Sequence, residues 1–177
     1  KLSTVPKNQD TVRTIAIEPS GNGLLQLAAG RYLEDALRCV GLDIKTQAAK
    51  NKQLASQAHS MGLCTIDLKS ASDMFKPDLV RLLLPHVWYQ LLMRIRSPET
   101  RLPSGEWIEL YMISTMGNGF TFPLMTLIIT ALIYANRCNL HKKQRPLYVD
   151  WRNTAVFGDD IIVPKDEYDS LTHLLQQ

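Results

Sequence analysis

Apolar residues recur at helical spacing in three parts of the chain. Residues 24–40 show the pattern most clearly, and Gly41 directly after them supplies a stop signal. A weaker pattern predicts a second helix over residues 46–60. Residues 77–93 carry an apolar stripe with Pro77 in the first turn, where proline is tolerated, and predict a third.

A longer apolar run covers residues 120–135 and needs a separate interpretation. It is shorter than the roughly 20 residues that a helix needs to cross a bilayer. It also contains Pro123 and three threonines and ends at Asn136 and Arg137. The run therefore predicts a buried core helix, with no membrane as a partner.

Strand-like patterns occur in three other regions of the chain, and its last residues, DSLTHLLQQ, are predicted to be helical. Residues 63–68 (LCTIDL) predict a buried strand ending at Asp67, and residues 101–113 alternate around a Pro-Ser-Gly turn as in a β-hairpin. The apolar runs 155–157 and 161–163 flank Gly158-Asp159-Asp160, which predicts a tight turn with acids at its tip. Residues 1–23 are polar and are expected to be irregular. Helices and strands without regular βαβ alternation indicate the α+β class.

Composition adds modest constraints. A net charge of +3 and a pI near 8.8 permit a polyanionic partner without requiring one. The three cysteines, Cys39, Cys64 and Cys138, are far apart and form no CxxC pair. Such spacing favours a reducing compartment over a disulfide framework or a zinc site. The first residues resemble no secretory signal, and both ends are expected to be cut from a longer protein.

Three aspartates are the candidate chemistry. Asp67 and the pair Asp159-Asp160 each lie at the end of an apolar, strand-like segment, where carboxylates are costly unless a cation compensates them. Hard oxygen ligands suit Mg²⁺ or Mn²⁺. If the strands lie side by side, Asp67 and Asp159 bracket two ions about 3.5–4 Å apart, the arrangement for in-line phosphoryl displacement. The alternative is that Gly158-Asp159-Asp160 is only a turn, since these residues favour turns.

Two further segments favour the metal-site interpretation of these acids over that of a simple turn. The sequence TIDLKSASD places Asp73 six residues after Asp67. STMGNGFT, residues 114–121, forms a glycine-rich bend before a helix, which allows close approach to a ribose or phosphate. An acidic strand, a glycine bend and a GDD hairpin, in this order, resemble motifs A, B and C of the palm of viral RNA-dependent RNA polymerases.

The resemblance is closer to one group of these enzymes. TIDLKSASD, MGNGFTF and FGDDIIVP are similar to segments of the replicases of single-stranded RNA bacteriophages, the levivirus group. TVPKN, residues 4–8, with Arg13 and IAIEP at 15–19 agrees as well, as do RSP at 96–98 and RLP at 101–103. The resemblance runs from Thr4 to Pro164. It implies a polymerase palm, an antiparallel sheet with a GDD hairpin packed by helices, and part of the fingers.

The resemblance also implies roles for individual residues. Asp67, Asp159 and Asp160 would be the catalytic metal ligands for two Mg²⁺ ions, with Mn²⁺ as the alternative, and Asp160 either a ligand or an electrostatic support. The implied nucleotide-binding set is Lys7, Arg13, Asp73, Gly117, Asn118 and Thr121. Within it, Lys7 and Arg13 would grip the triphosphate and Asp73 would read the ribose 2′-hydroxyl.

At one position the chain differs from the motif pattern, which limits the residue roles that the resemblance can assign. Many polymerases of the wider class have an asparagine four residues after the motif B threonine, whereas this chain has Met125. The lysine expected to protonate pyrophosphate belongs to a later motif beyond Gln177. The implied domains are partial fingers over residues 1–60 and palm over residues 61–177, truncated before the thumb. The isolated chain is therefore expected to be inactive.

The implied partners are an RNA template and product, ribonucleoside triphosphates and host translation factors, in the cytoplasm of a bacterial host. The basic run at residues 141–145 is a further candidate for RNA contact, although such runs are more often solvated. A reverse transcriptase is a rival interpretation, but those enzymes usually exclude ribonucleotides with an aromatic side chain, and here Asp73 offers a carboxylate. A second rival is an RNA-binding module that keeps the palm shape without activity.

Overall fold

The computed structural model describes residues 1–142 and 149–176 of the chain. These residues form helices and antiparallel strands, which confirms the α+β class. The strands are β1 (Leu2–Pro6), β2 (Val12–Ala16), β3 (Leu63–Asp67), β4 (Glu99–Arg101), β5 (Trp107–Glu109), β6 (Ala155–Phe157) and β7 (Asp160–Pro164). The helices are α1 (Ser20–Cys39), α2 (Ile44–Met61), α3 (Ala71–Met74), α4 (Pro77–Leu83), α5 (His86–Ile95), α6 (Thr121–Leu140) and α7 (Lys165–Leu175).

The chain divides into two compact units, and each combines two separate segments. Unit 1 contains Lys1–Tyr32 and Ser70–Phe122, and unit 2 contains Leu33–Lys69 and Pro123–Gln177. The division into fingers over residues 1–60 and palm over residues 61–177 stays a prediction.

Unit 1 contains two β-hairpins. Strands β1 and β2 pair antiparallel at the N-terminal end of the chain, so the expectation that residues 1–23 are irregular was wrong. Polar, mostly exposed side chains hid the alternation that would have predicted these strands. The second hairpin, β4–β5, confirms the predicted turn, but its strands are short and end at Glu109.

The predicted helix over residues 77–93 is two helices, α4 and α5. They are separated at Leu84, which has an extended backbone with φ −101° and ψ 152°. Pro85 follows it and caps the start of α5. Because proline disfavours helical geometry in the residue before it and has no N–H to donate, the helix has to break here.

Two buried polar side chains hold the interior of unit 1 together. Gln26 on α1 is fully buried and donates from Nε2 to the carbonyl of Ile95 at 2.8 Å. Arg96, after α5, donates to the carbonyls of Met112 at 2.7 Å and Leu110 at 3.0 Å. Burial lowers the pKa of Arg96, and the nearby Glu109 carboxylate opposes that shift. These bonds satisfy carbonyls that would otherwise be buried without partners.

Unit 2 is built on a three-stranded antiparallel sheet with the order β3-β7-β6. In the central strand β7, three consecutive residues from Ile161 to Val163 are buried. β3 lies at the edge, and only Leu63 in it is buried, so the prediction of a buried strand was wrong for its remaining length. Its predicted end at Asp67 is confirmed.

Helix α2 packs against one face of this sheet. Its Leu54 forms a buried cluster with Leu63, Ala155 and Ile162. The helix begins at Asp43, whose side chain accepts from the N–H of Lys45 at 3.1 Å, and it ends at Gly62 in the left-handed conformation. Both predicted helices over residues 24–40 and 46–60 are therefore confirmed as α1 and α2.

Helix α6 is the apolar run identified in the sequence. Among the described residues it alone is long and apolar enough to cross a bilayer, and 56% of its most apolar window is buried inside the fold. Core helices of other proteins pass the same test, and the burial of Leu124, Ile128, Ile129 and Ile133 agrees with a core helix. The three cysteines are free.

Candidate active site

The turn between β6 and β7 has a defined geometry. Phe157 pairs with Asp160, so Gly158 and Asp159 form a two-residue connection. Gly158 has φ +63°, whereas Asp159 is not among the described residues with positive φ. A two-residue turn with positive φ at its first position alone is of type II′, which favours glycine there. Asp160 is the first residue of β7 and lies beside the turn, not at its tip.

Two helices contact the backbone of this turn. Thr126 on α6 accepts a hydrogen bond at its Oγ1 from the N–H of Gly158, at 3.1 Å. Asn51 on α2 donates from Nδ2 to the carbonyl of Asp160, at 3.3 Å. The acid-bearing turn is thus held on both sides of Asp159.

The register of the sheet brings the predicted acids together. Asp67, the last residue of β3, is the direct antiparallel partner of Asp160. Partners in an antiparallel pair point to the same face, with Cβ atoms typically about 4.5–5.5 Å apart. Asp159 follows Gly158 in the adjoining turn and is half-buried, while Asp67 and Asp160 are exposed. All three carboxylates lie at one end of the sheet in unit 2.

This arrangement leaves negative charge unbalanced. The pKa of Asp160 is raised above its ordinary value, first by partial loss of water around its carboxyl and then by the charges of Asp159 and Asp67. Like charges so close together disfavour ionisation of one another. A cation bound among these carboxylates would relieve their repulsion.

Ligand number limits which metal sites the acids suit. In the described part of the chain, no group of three or more His, Cys, Asp or Glu side chains is placed to hold a metal ion by itself. Mg²⁺ in phosphoryl-transfer enzymes commonly uses one or two carboxylates and completes its shell with phosphate and water. Hard oxygen donors on adjacent strands fit an ion of that kind, with the remaining ligands supplied from outside the protein.

The glycine-rich bend belongs to unit 1. Gly117 has φ +107°, and a Cβ there would collide with the carbonyl oxygen of Ala16. The N–H of Ala16 in turn donates to the carbonyl of Met116 at 2.9 Å. The bend therefore lies directly against β2, and this close approach requires glycine.

Asn118 and Thr121 stabilise the start of α6. Asn118 is buried, and its Oδ1 accepts from the N–H of Phe120 at 3.0 Å. Its Nδ2 has no partner among the described residues. The Thr121 hydroxyl donates to the carbonyl of Thr115 at 2.9 Å. These contacts give both residues a local structural role, and nucleotide binding by Gly117, Asn118 and Thr121 stays a prediction.

Lys7 and Arg13 lie on the β1–β2 hairpin and are exposed. Arg13 pairs with Val5, and Lys7 begins the connecting loop. Neither side chain has an ion pair or hydrogen bond to any other described residue. Two unpaired cations on one hairpin suit an anionic ligand, and their contact with a triphosphate stays a prediction.

Asp73 lies within the short helix α3 and is exposed. The Ser72 hydroxyl donates weakly to its Oδ1 at 3.4 Å. It does not cap the helix that begins at Pro77, because the residue at that cap is Lys76 and no side-chain cap bond forms there. The carboxylate remains accessible to a ligand, and ribose recognition stays a prediction.

The predicted residues therefore fall into two groups. Asp67, Asp159 and Asp160 come together in unit 2. The nucleotide-binding set, Lys7, Arg13, Asp73, Gly117, Asn118 and Thr121, lies in unit 1. The basic run at 141–145 is described only at His141 and Lys142, and the remainder lies outside the described residues.

Sequence reasoning missed the residues that support the acids. Thr126 and Asn51 hold the turn, and a buried ion pair joins α6 to α7. In that pair Arg137 donates from Nε to both oxygens of Glu167 at 2.7 and 2.8 Å, and from Nη2 to the hydroxyl of Thr154. The available signal was polar residues inside an otherwise apolar helix, Thr126 and Arg137 in particular.

This geometry defines a class of protein: an α+β fold with aspartates clustered at one end of an antiparallel sheet. The whole chain, residues 1–177, matches the family described as RNA replicase, beta-chain, and it belongs to that family. It is a part of a levivirus-type replicase, as the sequence motifs had indicated.

Three curated relatives show the extent of the similarity. The chain is 42% identical to the RNA-directed RNA polymerase subunit beta of Escherichia virus Qbeta, over 93% of the chain and 27% of that protein. It is 44% identical to the subunit of the same description from Enterobacteria phage SP, over 92% of the chain and 27% of that protein. Identity to the RNA-directed RNA polymerase beta chain of Escherichia phage MS2 is 38%, over 92% of the chain and 28% of that protein. The chain thus spans little more than a quarter of the length of these relatives.

Proposed function

We propose that this chain is the catalytic part of an RNA-directed RNA polymerase, which extends an RNA strand on an RNA template. The observation that carries the proposal is the juxtaposition of Asp67 with Asp160, beside Asp159 in the adjoining turn. Family membership supports it, because the relatives are named as RNA-directed RNA polymerase subunits.

In this proposal the three-stranded sheet of unit 2 is the polymerase palm and the β6–β7 hairpin is its GDD hairpin. The exposed β1–β2 hairpin of unit 1 is part of the fingers. The sheet fixes Asp67 and Asp160 on neighbouring strands, so their separation depends on strand pairing and not on flexible loops. Rigid elements of this kind are well suited to holding a catalytic constellation.

Asp67, Asp159 and Asp160 would hold two Mg²⁺ ions, or Mn²⁺ in their place. When bound, such ions lower the pKa of an attacking 3′-hydroxyl and neutralise charge on the transferring phosphate. Partial burial first, and then the charges of Asp159 and Asp67, raise the pKa of Asp160, and a bound cation would offset the repulsion between these acids. The carboxylates themselves bind and orient the ions, and Asp160 serves as a ligand or as a neighbouring charge.

Substrate contacts are assigned to unit 1. Lys7 and Arg13 would bind the triphosphate of the incoming ribonucleotide, and Asp73 would accept a hydrogen bond from its 2′-hydroxyl. Exposure of all three side chains supports this role. Gly117, Asn118 and Thr121 would shape the pocket through the bend that they stabilise.

The relatives support a viral setting. All six that match are proteins of bacterial viruses, from Escherichia and Enterobacteria phages among others. We infer that the protein replicates a phage RNA genome inside the host cell. The host cytoplasm as its compartment and host translation factors as its partners are proposed from the family resemblance alone.

Primer extension by a full-length subunit that contains this chain tests the proposal. The subunit is given an RNA template, ribonucleotides and Mg²⁺, and is compared with Asp159→Asn. We expect the parent to extend the primer and the variant to lose activity by orders of magnitude while it still folds and binds RNA. Equal extension by both proteins would show that Asp159 is only a turn residue.

A separate arm addresses the two rival functions. Replacing ribonucleotides with deoxyribonucleotides should abolish extension, whereas a reverse transcriptase would continue. An RNA-binding module without activity would bind the template and extend nothing under either condition.

A further inference from the structure

We propose that Thr126 and Asn51 are positioning residues. They fix the backbone of the acidic turn, so that Asp160 stays opposite Asp67 and Asp159 stays beside them. This inference rests on the proposed function, because positioning matters only if the acids bind ions. Both residues bond to backbone atoms of the turn and not to its carboxylates.

Thr126 provides a hydrogen-bond acceptor for a buried N–H group of the turn. In a two-residue hairpin the flanking pair, Phe157 and Asp160, makes the closing hydrogen bonds, and the N–H groups inside the turn have no partner on the ladder. The N–H of Gly158 belongs to a buried residue, so it requires an acceptor. The Thr126 hydroxyl, on a fully buried side chain, provides that acceptor at 3.1 Å.

Asn51 acts on the other side of Asp159. Its side chain is buried on α2 and donates to the backbone carbonyl of Asp160 at 3.3 Å. The same helix is fixed to the sheet one turn further along by Leu54. Asn51 therefore connects the backbone of Asp160, the first residue of β7, to a helix that is packed against the sheet.

A second threonine on α6 shows that a buried hydroxyl need not have such a contact. Thr130 lies one helical turn after Thr126 and is also buried. Its hydroxyl has no hydrogen-bond partner among the described residues. The two positions match in residue type, helix and burial, and they differ in the bond to Gly158. Thr130 is therefore a matched control.

The expected consequence is a change in ion binding and catalytic rate. Without the Thr126 hydroxyl, the buried N–H of Gly158 loses its acceptor, and the turn shifts to find another. A displacement of about 1 Å in a catalytic group can reduce the rate about 100-fold. The proposed nucleotide contacts lie on other residues, so KM for ribonucleotides should change little.

The test uses a full-length subunit that contains this chain, in six forms: parent, Thr126→Val, Thr126→Ser, Thr130→Val, Asn51→Leu and Asp159→Asn. Valine matches threonine in shape and removes the hydroxyl, whereas serine keeps it. Three measurements are made: Mn²⁺ binding by electron paramagnetic resonance without nucleotides, primer extension for kcat and KM, and thermal unfolding for Tm. Asp159→Asn supplies the baseline for the loss of the site.

We expect Thr126→Val to lower kcat by about 10-fold to 100-fold and to weaken Mn²⁺ binding towards the Asp159→Asn baseline. Thr126→Ser should restore both to within about 3-fold of the parent, since its hydroxyl still accepts the bond. Thr130→Val should match the parent in all three measurements. Asn51→Leu, which removes the donor on α2, should reproduce the loss of Mn²⁺ binding, and it decides the question if Thr126→Val fails to fold.

Two outcomes overturn the inference and are distinguishable from each other. If Asp159→Asn is inactive but Thr126→Val and Asn51→Leu bind Mn²⁺ and extend primers as Thr130→Val does, the turn needs no such support and only the positioning role is wrong. If Asp159→Asn is as active as the parent, the acidic turn is not the site, and the positioning role falls together with the proposed function.

Discussion

Two β-hairpins of the molecule carry candidate functional residues, and they are built in contrasting ways. The β6–β7 hairpin bears two acids and is held by side chains from two helices, Thr126 and Asn51. The β1–β2 hairpin bears Lys7 and Arg13 and is organised by its own loop. There, one side chain, Asn8, accepts at Oδ1 from the N–H of Asp10 at 3.1 Å and the N–H of Thr11 at 2.7 Å.

The difference matches the chemistry assigned to each hairpin. Carboxylates proposed to share metal ions must keep fixed separations, and the turn that bears two of them is bonded from outside by Thr126 and Asn51. Flexible cations that attract a triphosphate can work from an exposed hairpin, because charge attraction acts over several ångströms. The comparison predicts that changes around the β6–β7 hairpin reduce activity severely, whereas changes in the β1–β2 hairpin reduce it by degrees.

The largest effect is expected for Asp67→Asn. Removing this charge leaves Asp160 without its partner carboxylate on the neighbouring strand. In a full-length subunit that contains this chain, it should lower primer extension by about 100-fold to 1,000-fold, as loss of one electrostatic group does in other enzymes. A matched control is Asp166→Asn, a carboxylate in the first turn of α7, outside the three acids. Similar activity of the Asp67 and Asp166 variants would contradict the assignment.

The next effect concerns the anchoring of α6 and α7. Arg137 and Glu167 are both about 95% buried, and Arg137→Met leaves the Glu167 carboxylate buried without its partner. The free energy of unfolding should fall by about 3–5 kcal/mol, seen as a lower Tm. Arg152→Met breaks the exposed pair with Asp150 and should cost less than about 1 kcal/mol. Equal losses would show that the buried pair is not an anchor.

A graded effect is expected on the exposed hairpin. Replacing Lys7 and Arg13 together by glutamine should raise KM for ribonucleotides by about 10-fold, with kcat changed less, since charge-assisted bonds to phosphate are lost. High salt should raise KM of the parent more than that of the variant. A large fall in kcat at unchanged KM would instead place these residues with the acids.

The smallest effect is a pH dependence of stability at Asp150. Hydrogen bonds from the side chain and backbone of Arg152 lower the pKa of this carboxyl below its ordinary value of 3.8. A lowered pKa stabilises the fold at pH values above 3.8, and the contribution is lost as the pH falls through the folded pKa. Asp150→Asn should therefore lower Tm slightly at pH 7. The loss in free energy of unfolding should be less than about 1 kcal/mol, because solvent screens the pair. The difference from the parent should shrink as the pH falls below 3.8 and through the lowered pKa. A difference that stays constant over that fall would contradict the assignment.

Much of the fold was predictable because its signals are local. Helical periodicity located α1 and α2, and Gly41 marked the end of the first. The break between α4 and α5 was equally local, since Pro85 is visible in the sequence, but the continuous apolar stripe outweighed it. The β1–β2 hairpin was not predicted, because exposed polar strands lack the apolar-polar alternation of a strand with one buried face.

The acidic residues of the candidate site could be selected from the sequence, whereas the side chains that bond to their turn could not. Motif order singled out Asp67, Asp159 and Asp160, and strand register then placed Asp67 opposite Asp160. Thr126 and Asn51 act on backbone atoms 32 and 109 residues away in the sequence. Contacts over such separations depend on how helices pack, which no local pattern encodes.

Binding of Mn²⁺ to a full-length subunit that contains this chain tests the central claim most directly. The parent is titrated beside a variant in which Asp67, Asp159 and Asp160 are all replaced by asparagine, with circular dichroism and RNA binding as controls for folding. The account predicts that the variant loses the tight Mn²⁺ sites while it remains folded and binds RNA. An unchanged number and affinity of bound ions would contradict it, because the three carboxylates would then hold no metal.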